Sequence, residues 1–335
     1  SAPDSLSYPG LFIEVNMSKR VIFIDALNML YRAYIVDPSL STNGQPIGGI
    51  KGFLKMSQKL IRDMKPDSVV VAWDGEGGSR HRRAIKKDYK AGRKPIRLNR
   101  QIRNLTESEE VENKIWQQTR LTEYLNHLPI AQVMLPGIEA DDVIGYCVQM
   151  ERYKGWQKII VSSDKDFIQL CDDETVLYRP IQKVFLNSKR VAEEHGIHPV
   201  NFALARALSG DKSDNLPGVG GVGMKTVAKR FPFFADEKVC DIKFLLDFCK
   251  ERSEEKLKVY NSIVENIDLV KENYKLMQLY APTIHIQGKQ IIRAAVEDFE
   301  YEFNKTGIMR MMNEDGFGVY DWSDLFTASK RMVRG

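Results

Sequence analysis

Four short apolar runs punctuate the first half of the chain: residues 20–25 (RVIFID), 68–74 (SVVVAWD), 130–135 (IAQVML) and 158–164 (KIIVSSD). Between them lie stretches whose apolar positions recur at helical spacing, over 48–64, 106–128 and 139–154, with a further one at 222–231. Pro66, Pro136 and Gly155 separate the elements. Unbroken apolar runs alternating with amphipathic helices predict buried parallel strands, and so an α/β sheet with helices on both faces. From about Val200 onward the pattern is helical throughout, with no internal repeat. The sequence therefore divides into an α/β unit over 17–199, a helical region over 200–300 and a C-terminal extension over 301–335. Residues 1–16 lack this patterning and precede Met17, so they are expected to be a leader or a vector-derived remnant outside the fold.

With 335 residues, 43% of them hydrophobic and 28% charged, the chain can bury a sizeable core and is not of the disordered class. No apolar run approaches the roughly 20 residues of a membrane helix. Cys147, Cys171, Cys240 and Cys249 form no C-x-x-C and pair with no histidine at zinc spacing. A reducing cytosol is the expectation. The net charge of +4 hides an asymmetry. Between Arg80 and Arg103 stand eleven Lys/Arg and one acid, Asp88, so that segment carries +10 and the remainder −6. A basic block on an acidic protein predicts a polyanionic partner. Such a block repels itself, and 80–105 is expected to be mobile without that partner.

Three of the apolar runs end in aspartate: Asp25, Asp74 and Asp164. Open parallel sheets bind ligands at the carboxyl ends of their strands. One such aspartate is commonly only a helix cap; three on neighbouring strands would share a cleft. Glu139, Asp141 and Asp142 open the helix after 130–135, Asp166 follows Asp164, and Asp211 and Asp214 lie in GDKSDN. Nine converging carboxylates repel one another unless cations intervene. An oxygen-only set suits Mg²⁺ or Mn²⁺. Two such ions ~4 Å apart activate water and stabilise a leaving oxygen at phosphorus. With the basic block for phosphates, this chemistry is that of a nuclease.

Residues 216–227 (LPGVGGVGMKTV) contain G-x-G-x-x-G at Gly218, Gly220 and Gly223, but no strand precedes them, and Met224 stands where a phosphate loop needs lysine. A hairpin between two helices fits better. Its amides, the following helix N-terminus, and Lys225, Lys229 and Arg230 would hold a DNA backbone without reading bases.

In order along the chain, VIFIDALNMLYRAY, VVVAWDG, RRAIKKDYKAGRK, PGIEADDVIG, VSSDKDFIQL and ALSGDKSDNLPGVGGVGMKTVAKRF resemble the structure-specific 5′ nucleases, or flap endonucleases. These include the 5′-nuclease domain of bacterial DNA polymerase I and stand-alone phage enzymes. The resemblance spans about 20–232 and thins after 235. It implies a PIN-like parallel sheet, a helical arch over 80–105 and a helix-hairpin-helix. It implies that Asp25, Asp74, Glu139, Asp141 and Asp142 serve a first Mg²⁺, and Asp164, Asp166, Asp211 and Asp214 a second. Lys90 matches the arch lysine that contacts the scissile phosphate, and Arg82 a phosphate-contacting arginine. Arg83, Arg93, Gly218, Gly220, Gly221, Gly223, Lys225, Thr226 and Lys229 become DNA contacts, with a K⁺ at the hairpin and Mn²⁺ able to replace Mg²⁺. Tyr31 sits where the family often has a residue near substrate. The glycine-rich GEGGSRH after Asp74 and the extra Gly221 depart from the pattern without removing a ligand.

The resulting expectation is a divalent-metal-dependent enzyme of DNA replication or repair. It would cut 5′ flaps, 5′ ends and RNA primers on DNA, the last an RNase H activity. The protein is expected to be a free-standing monomer of the bacterial cytosol, host- or phage-encoded, with single-strand-binding protein or replication machinery as partners. An RNA-specific endonuclease fits the duplex-gripping hairpin less well. A non-catalytic binder has no use for nine repelling carboxylates. A strand-end aspartate phosphatase needs an acid where Leu27 stands. The aromatic-rich end (Phe317, Tyr320, Trp322, Phe326) reads as core packing in preference to a partner contact.

Overall fold

The computed structural model describes residues 19–255 and 257–334; the expected leader over 1–16 lies outside the described residues. A six-stranded sheet forms the centre, built from β1 (Arg20–Asp25), β2 (Ser68–Trp73), β3 (Ala131–Met134), β4 (Gln157–Val161), β5 (Thr175–Arg179) and β6 (Val184–Leu186). Its order is β3-β2-β1-β4-β5-β6, parallel except for β6, which runs antiparallel to β5. The four apolar runs are β1 to β4. The sequence pattern missed β5 and β6.

The helices are α1 (Ala26–Val36), α2 (Gly48–Met64), α3 (Arg80–Ile85), α4 (Glu107–Leu125), α5 (Ala140–Cys147), α6 (Ser188–His195) and α7 (Pro199–Ser209). They are followed by α8 (Met224–Arg230), α9 (Ile242–Glu251), α10 (Lys258–Glu265), α11 (Ile267–Met277), α12 (Ile286–Glu297), α13 (Lys305–Glu314) and α14 (Ser323–Arg334). The helix expected over 139–154 stops at Cys147 and resumes only as a single 3₁₀ turn, Glu151–Tyr153. Beyond Val200 the expected helices are joined by irregular segments, and residues 210–211 pair with 216–217 as short strands.

Alternate residues of each strand point to opposite cores. Val21, Phe23, Val70, Val133 and Ile160 meet α5, α7 and α8 to α12. Ile22, Ile24, Val69, Val71 and Ile159 meet α1, α2, α4, α13 and α14. Of the aromatic end, Phe317 and Trp322 are buried in this second core and Phe326 packs against it, whereas Tyr320 is exposed. All four cysteines are buried and unpaired. Among the described residues no helix is long and apolar enough to cross a membrane.

Only Arg80–Ile85 of the expected helical arch is helical; residues 86–105 form turns and irregular chain. A continuous helix would stack like charges such as Lys86 and Lys90, or Lys90 and Lys94, at i, i+4, and would pass Gly92 and Pro95. The segment finds carboxylates elsewhere: Lys86 pairs with Glu272 at 3.1 Å, and Arg97 with Glu107 at 2.6 Å and Glu110 at 2.8 Å.

Candidate active site

Strand register places the aspartates. Asp25 lies opposite Ala72, and Ile24 opposite Val161, so Asp25, Asp74 and Asp164 all emerge at the carboxyl edge of three adjacent strands. The strand order reverses there, between β1 and β4, where crevices open in such sheets. Asp25 ends its strand and caps α1, accepting the Asn28 N–H at 3.3 Å; Ser162 Oγ donates to its other oxygen at 3.0 Å. Asp74 accepts the Ala140 N–H at 2.7 Å, which ties the end of β2 to the first turn of α5. Glu139 is the N-cap residue of α5, and Asp141 and Asp142 occupy its first turn. Asp164 accepts the Asp166 N–H at 2.8 Å. Asp25, Asp74, Glu139, Asp141 and Asp164 line one cleft of about 450 Å³, together with Tyr31, Lys90 and Arg93.

Beside this cleft Asp166, Asp211 and Asp214 bring carboxylate oxygens within 4.8 Å of one another, the spacing of a metal-binding set. Asp211 sits just before a 3₁₀ turn, Lys212–Asp214, and accepts the Ser213 N–H at 2.8 Å. Eight of the nine acids thus divide into a cleft-lining set and an adjoining trio. Asp142 belongs to neither, because both its oxygens face Arg82, at 2.8 and 2.9 Å.

Burial and crowding act together on these groups. Burial, then the neighbouring Asp74 and Asp164, push Asp25 up to about 7. Burial raises Asp74 and Asp164 as well. Asp142 is pushed up to about 7, with burial and Asp141 outweighing Arg82. Asp166 goes up to about 8, by burial and then Asp164, against the pull of Arg206. Asp211 is the exception: burial opposes ionisation, but Ser213 and Arg206 hold it below the usual carboxylate range.

Four cations answer this charge. Arg82 is almost wholly buried; its guanidinium donates to the Leu276 carbonyl at 2.9 Å and to Glu139, Asp141 and Asp142. It therefore lies beneath the cleft, not on its wall, where a phosphate contact was expected. Lys90 does face the cleft. Its Nζ donates to Glu139, and its backbone N–H donates to the Asp214 carbonyl at 2.9 Å, with φ 57. Arg93 donates to Asp214 and lines the same wall. Arg206, on α7, donates to Asp166 at 3.2 Å and to Asp211, bridging two members of the trio. Sequence reasoning missed Arg206 and Ser162. Arg206 reads as an ordinary helical arginine, and its place five residues ahead of Asp211 was the available signal.

The glycine hairpin is anchored by its valines. Val219 and Val222 are buried, and the Val219 N–H donates to the Leu208 carbonyl at 2.8 Å. A side chain at Gly218 would run into the Ser209 carbonyl, so that position needs glycine. Gly220, Gly221 and Gly223 are exposed, Gly221 with φ +76, and Gly223 precedes the first turn of α8. Lys225 and Lys229 are exposed one helical turn apart, with Thr226 partly buried beside them. Arg83 is exposed on α3 and does not line the cleft.

Residues 20–196 match the family described as the 5′-3′ exonuclease N-terminal resolvase-like domain. A 5′-3′ exonuclease of Aquifex aeolicus is 34% identical over 211 residues, covering 62% of this chain and 67% of that protein. DNA polymerase I of Bacillus subtilis is 30% identical over 309 residues, covering 90% of this chain. The chain spans only 32% of that polymerase's length. Among solved structures, a bacteriophage T5 flap endonuclease in complex with DNA and metal ions superposes with a TM-score of 0.62 at 18% identity, covering 89% of this chain and 98% of that one. This likeness supports the fold: a parallel sheet flanked by helices and followed by a helical region. The family match covers β1 to β6 and with them seven of the nine carboxylates, from Asp25 to Asp166. The chain belongs to the 5′-3′ exonuclease family, through its N-terminal resolvase-like domain.

Proposed function

We propose that this chain is a divalent-metal-dependent, structure-specific 5′ nuclease that hydrolyses phosphodiester bonds at 5′ flaps and 5′ ends of DNA, and at RNA primers on DNA. The observation that carries this reading is the cleft at the strand ends, where five carboxylates face Lys90 and Arg93.

The donor chemistry fits hard divalent cations. The cleft and the trio offer carboxylate oxygens, and the upward shifts of Asp25 and Asp166 mark sites whose full ionisation needs more positive charge than the four side-chain cations supply. Asp25, Asp74, Glu139 and Asp141 would hold one Mg²⁺, and Asp164, Asp166, Asp211 and Asp214 another. When bound, such ions lower the pKa of a water and stabilise a leaving 3′ oxygen. The protein's own groups orient the substrate. Lys90 is placed to move from Glu139 to a phosphate oxygen entering the cleft, where its charge counts most in the transition state. Arg93 supplies a second phosphate contact. Arg82 and Arg206 act from beneath, holding the ligand carboxylates in position. The exposed amides of the hairpin, with Lys225 and Lys229, suit a duplex backbone. The family resemblance adds a K⁺ at the hairpin.

The test is cleavage of a 5′-flap duplex against a matched single strand, in Mg²⁺ and in EDTA. Mg²⁺-dependent cutting near the flap junction, absent in EDTA and in Asp164→Asn, supports the reading. Tight binding without cutting would overturn it in favour of a structural DNA-binding role.

A further inference from the structure

The turn between α13 and α14 carries a surface that the nuclease reading leaves unused. It bounds a groove of about 760 Å³ whose apolar wall is made by Met309, Phe317, Val319, Tyr320, Trp322 and Phe326. Phe317 and Trp322 reach down into the core. Val319, by contrast, is fully exposed, Met309 is half exposed and Tyr320 is exposed. Apolar side chains gathered on a concave surface mark an interaction site more often than scattered ones do. Methionine among them gives a wall that adapts to the side chain it meets.

Charge narrows the occupant. Lys305 and Lys330 stand exposed on the rim, and among the described residues neither forms an ion pair with a carboxylate. Lys305 Nζ lies 5.5 Å from the Phe326 ring centre. The acid on the rim, Asp321, accepts the Ser323 N–H at 2.9 Å and stays ionised, so the two lysines outnumber it by one. The groove is thus an apolar floor with a small surplus of positive charge on its rim.

We infer that this groove docks an acidic peptide segment of a partner protein. Apolar side chains of the segment seat against Met309 and Val319, and its carboxylates meet Lys305 and Lys330. Complementary charge sets the choice of partner, and the apolar floor supplies the affinity. A nucleic-acid strand fits less well. The basic segment of this chain places eleven cations between Arg80 and Arg103, whereas this rim offers two lysines around an aliphatic and aromatic hollow.

The experiment selects a randomised dodecapeptide library on the whole chain, immobilised. Enriched peptides are then measured by fluorescence polarisation against the unaltered protein, Val319→Glu and Lys305→Glu/Lys330→Glu. Val319 is fully exposed, so its replacement leaves the fold and the cleavage of bare DNA unchanged. The expected result is enrichment of sequences mixing Asp/Glu with Leu, Ile or Phe, bound at least tenfold more weakly by both variants. No enrichment over Val319→Glu, or enrichment without acidic residues, overturns the inference. If a (dT)₁₂ oligonucleotide binds and loses tenfold in Val319→Glu while acidic peptides do not, the surface is a nucleic-acid contact and the inference fails.

Discussion

Lys90 connects both halves of the site within one residue: its backbone N–H holds the Asp214 carbonyl, and its side chain reaches Glu139. Lys90→Ala removes the second contact and leaves the first. Cleavage is expected to fall on the order of 10²–10³-fold, the size typical of losing one transition-state donor. Ca²⁺ affinity by calorimetry should stay near that of the unaltered enzyme. Asp141→Asn and Asp164→Asn are expected to abolish cleavage while flap-duplex affinity survives, measured by polarisation; turnover in both would exclude the metal reading. Arg206 gives the test of indirect support. Arg206→Met deprives Asp166 and Asp211 of their shared partner, and divalent-ion affinity is expected to weaken roughly 10–100-fold, with Arg206→Lys recovering part of it. Seven of the carboxylates, Asp25 to Asp166, were legible because they follow an apolar run or open a helix, and Asp211 and Asp214 because they stand three apart in GDKSDN. Arg206 was not, because its importance comes from α7 packing against the turn that carries Asp166, a long-range contact with no periodic trace.

β1, β2 and β4 show themselves as apolar runs buried on both faces, and the edge strand β3 as a run with Gln132 half-buried and Met134 exposed. β5 did not, since Thr175 and Arg179 leave only three apolar residues between them, and β6 is three residues long. α1 was hidden for a different reason. Asp25 is both the last residue of β1 and the cap of α1, so no loop separates the two. The same economy brings burial to the carboxylates, and burial has a pH consequence. Asp25 and Asp166 bind their protons more tightly when folded, with values of about 7 and about 8 against the usual 3.8. The native state therefore holds more protons than the unfolded chain between those limits, and stability falls as pH rises through them. The contribution is full below about pH 4 and lost above about pH 8. Calorimetric melting in EDTA should show stability from this site declining between about pH 4 and pH 8. Mg²⁺ should raise Tm more at pH 8.5 than at pH 5.5, because ionised ligands bind the cation better. Equal metal-induced shifts at both pH values would contradict the buried-carboxylate account.

At the scale of the molecule, α13 and α14 close one face of the sheet. Asp315 accepts from Arg120 and Tyr124, each at 2.7 Å, and Lys51 Nζ donates to the Phe317 carbonyl at 2.8 Å. Gln58, on α2, donates to the Asp321 carbonyl and accepts the Leu325 N–H, both at 3.1 Å. Leu325 is fully buried against α2. Leu325→Ala should cost about 2–5 kcal/mol by denaturant unfolding, the range for a cavity where a buried leucine stood. A cost near zero would mean the C-terminal helices are not part of one cooperative unit.

That closure sets a schedule for synthesis. Leu325 follows its partner Gln58 by 267 positions. At 5–20 residues per second, the apolar face of α2 therefore leaves the ribosome roughly 10–50 s before the helix that covers it. During that interval the nascent chain can complete the core around α5 and α7 but not the one beneath α14. It offers a chaperone or a protease a hydrophobic stripe that the finished protein conceals.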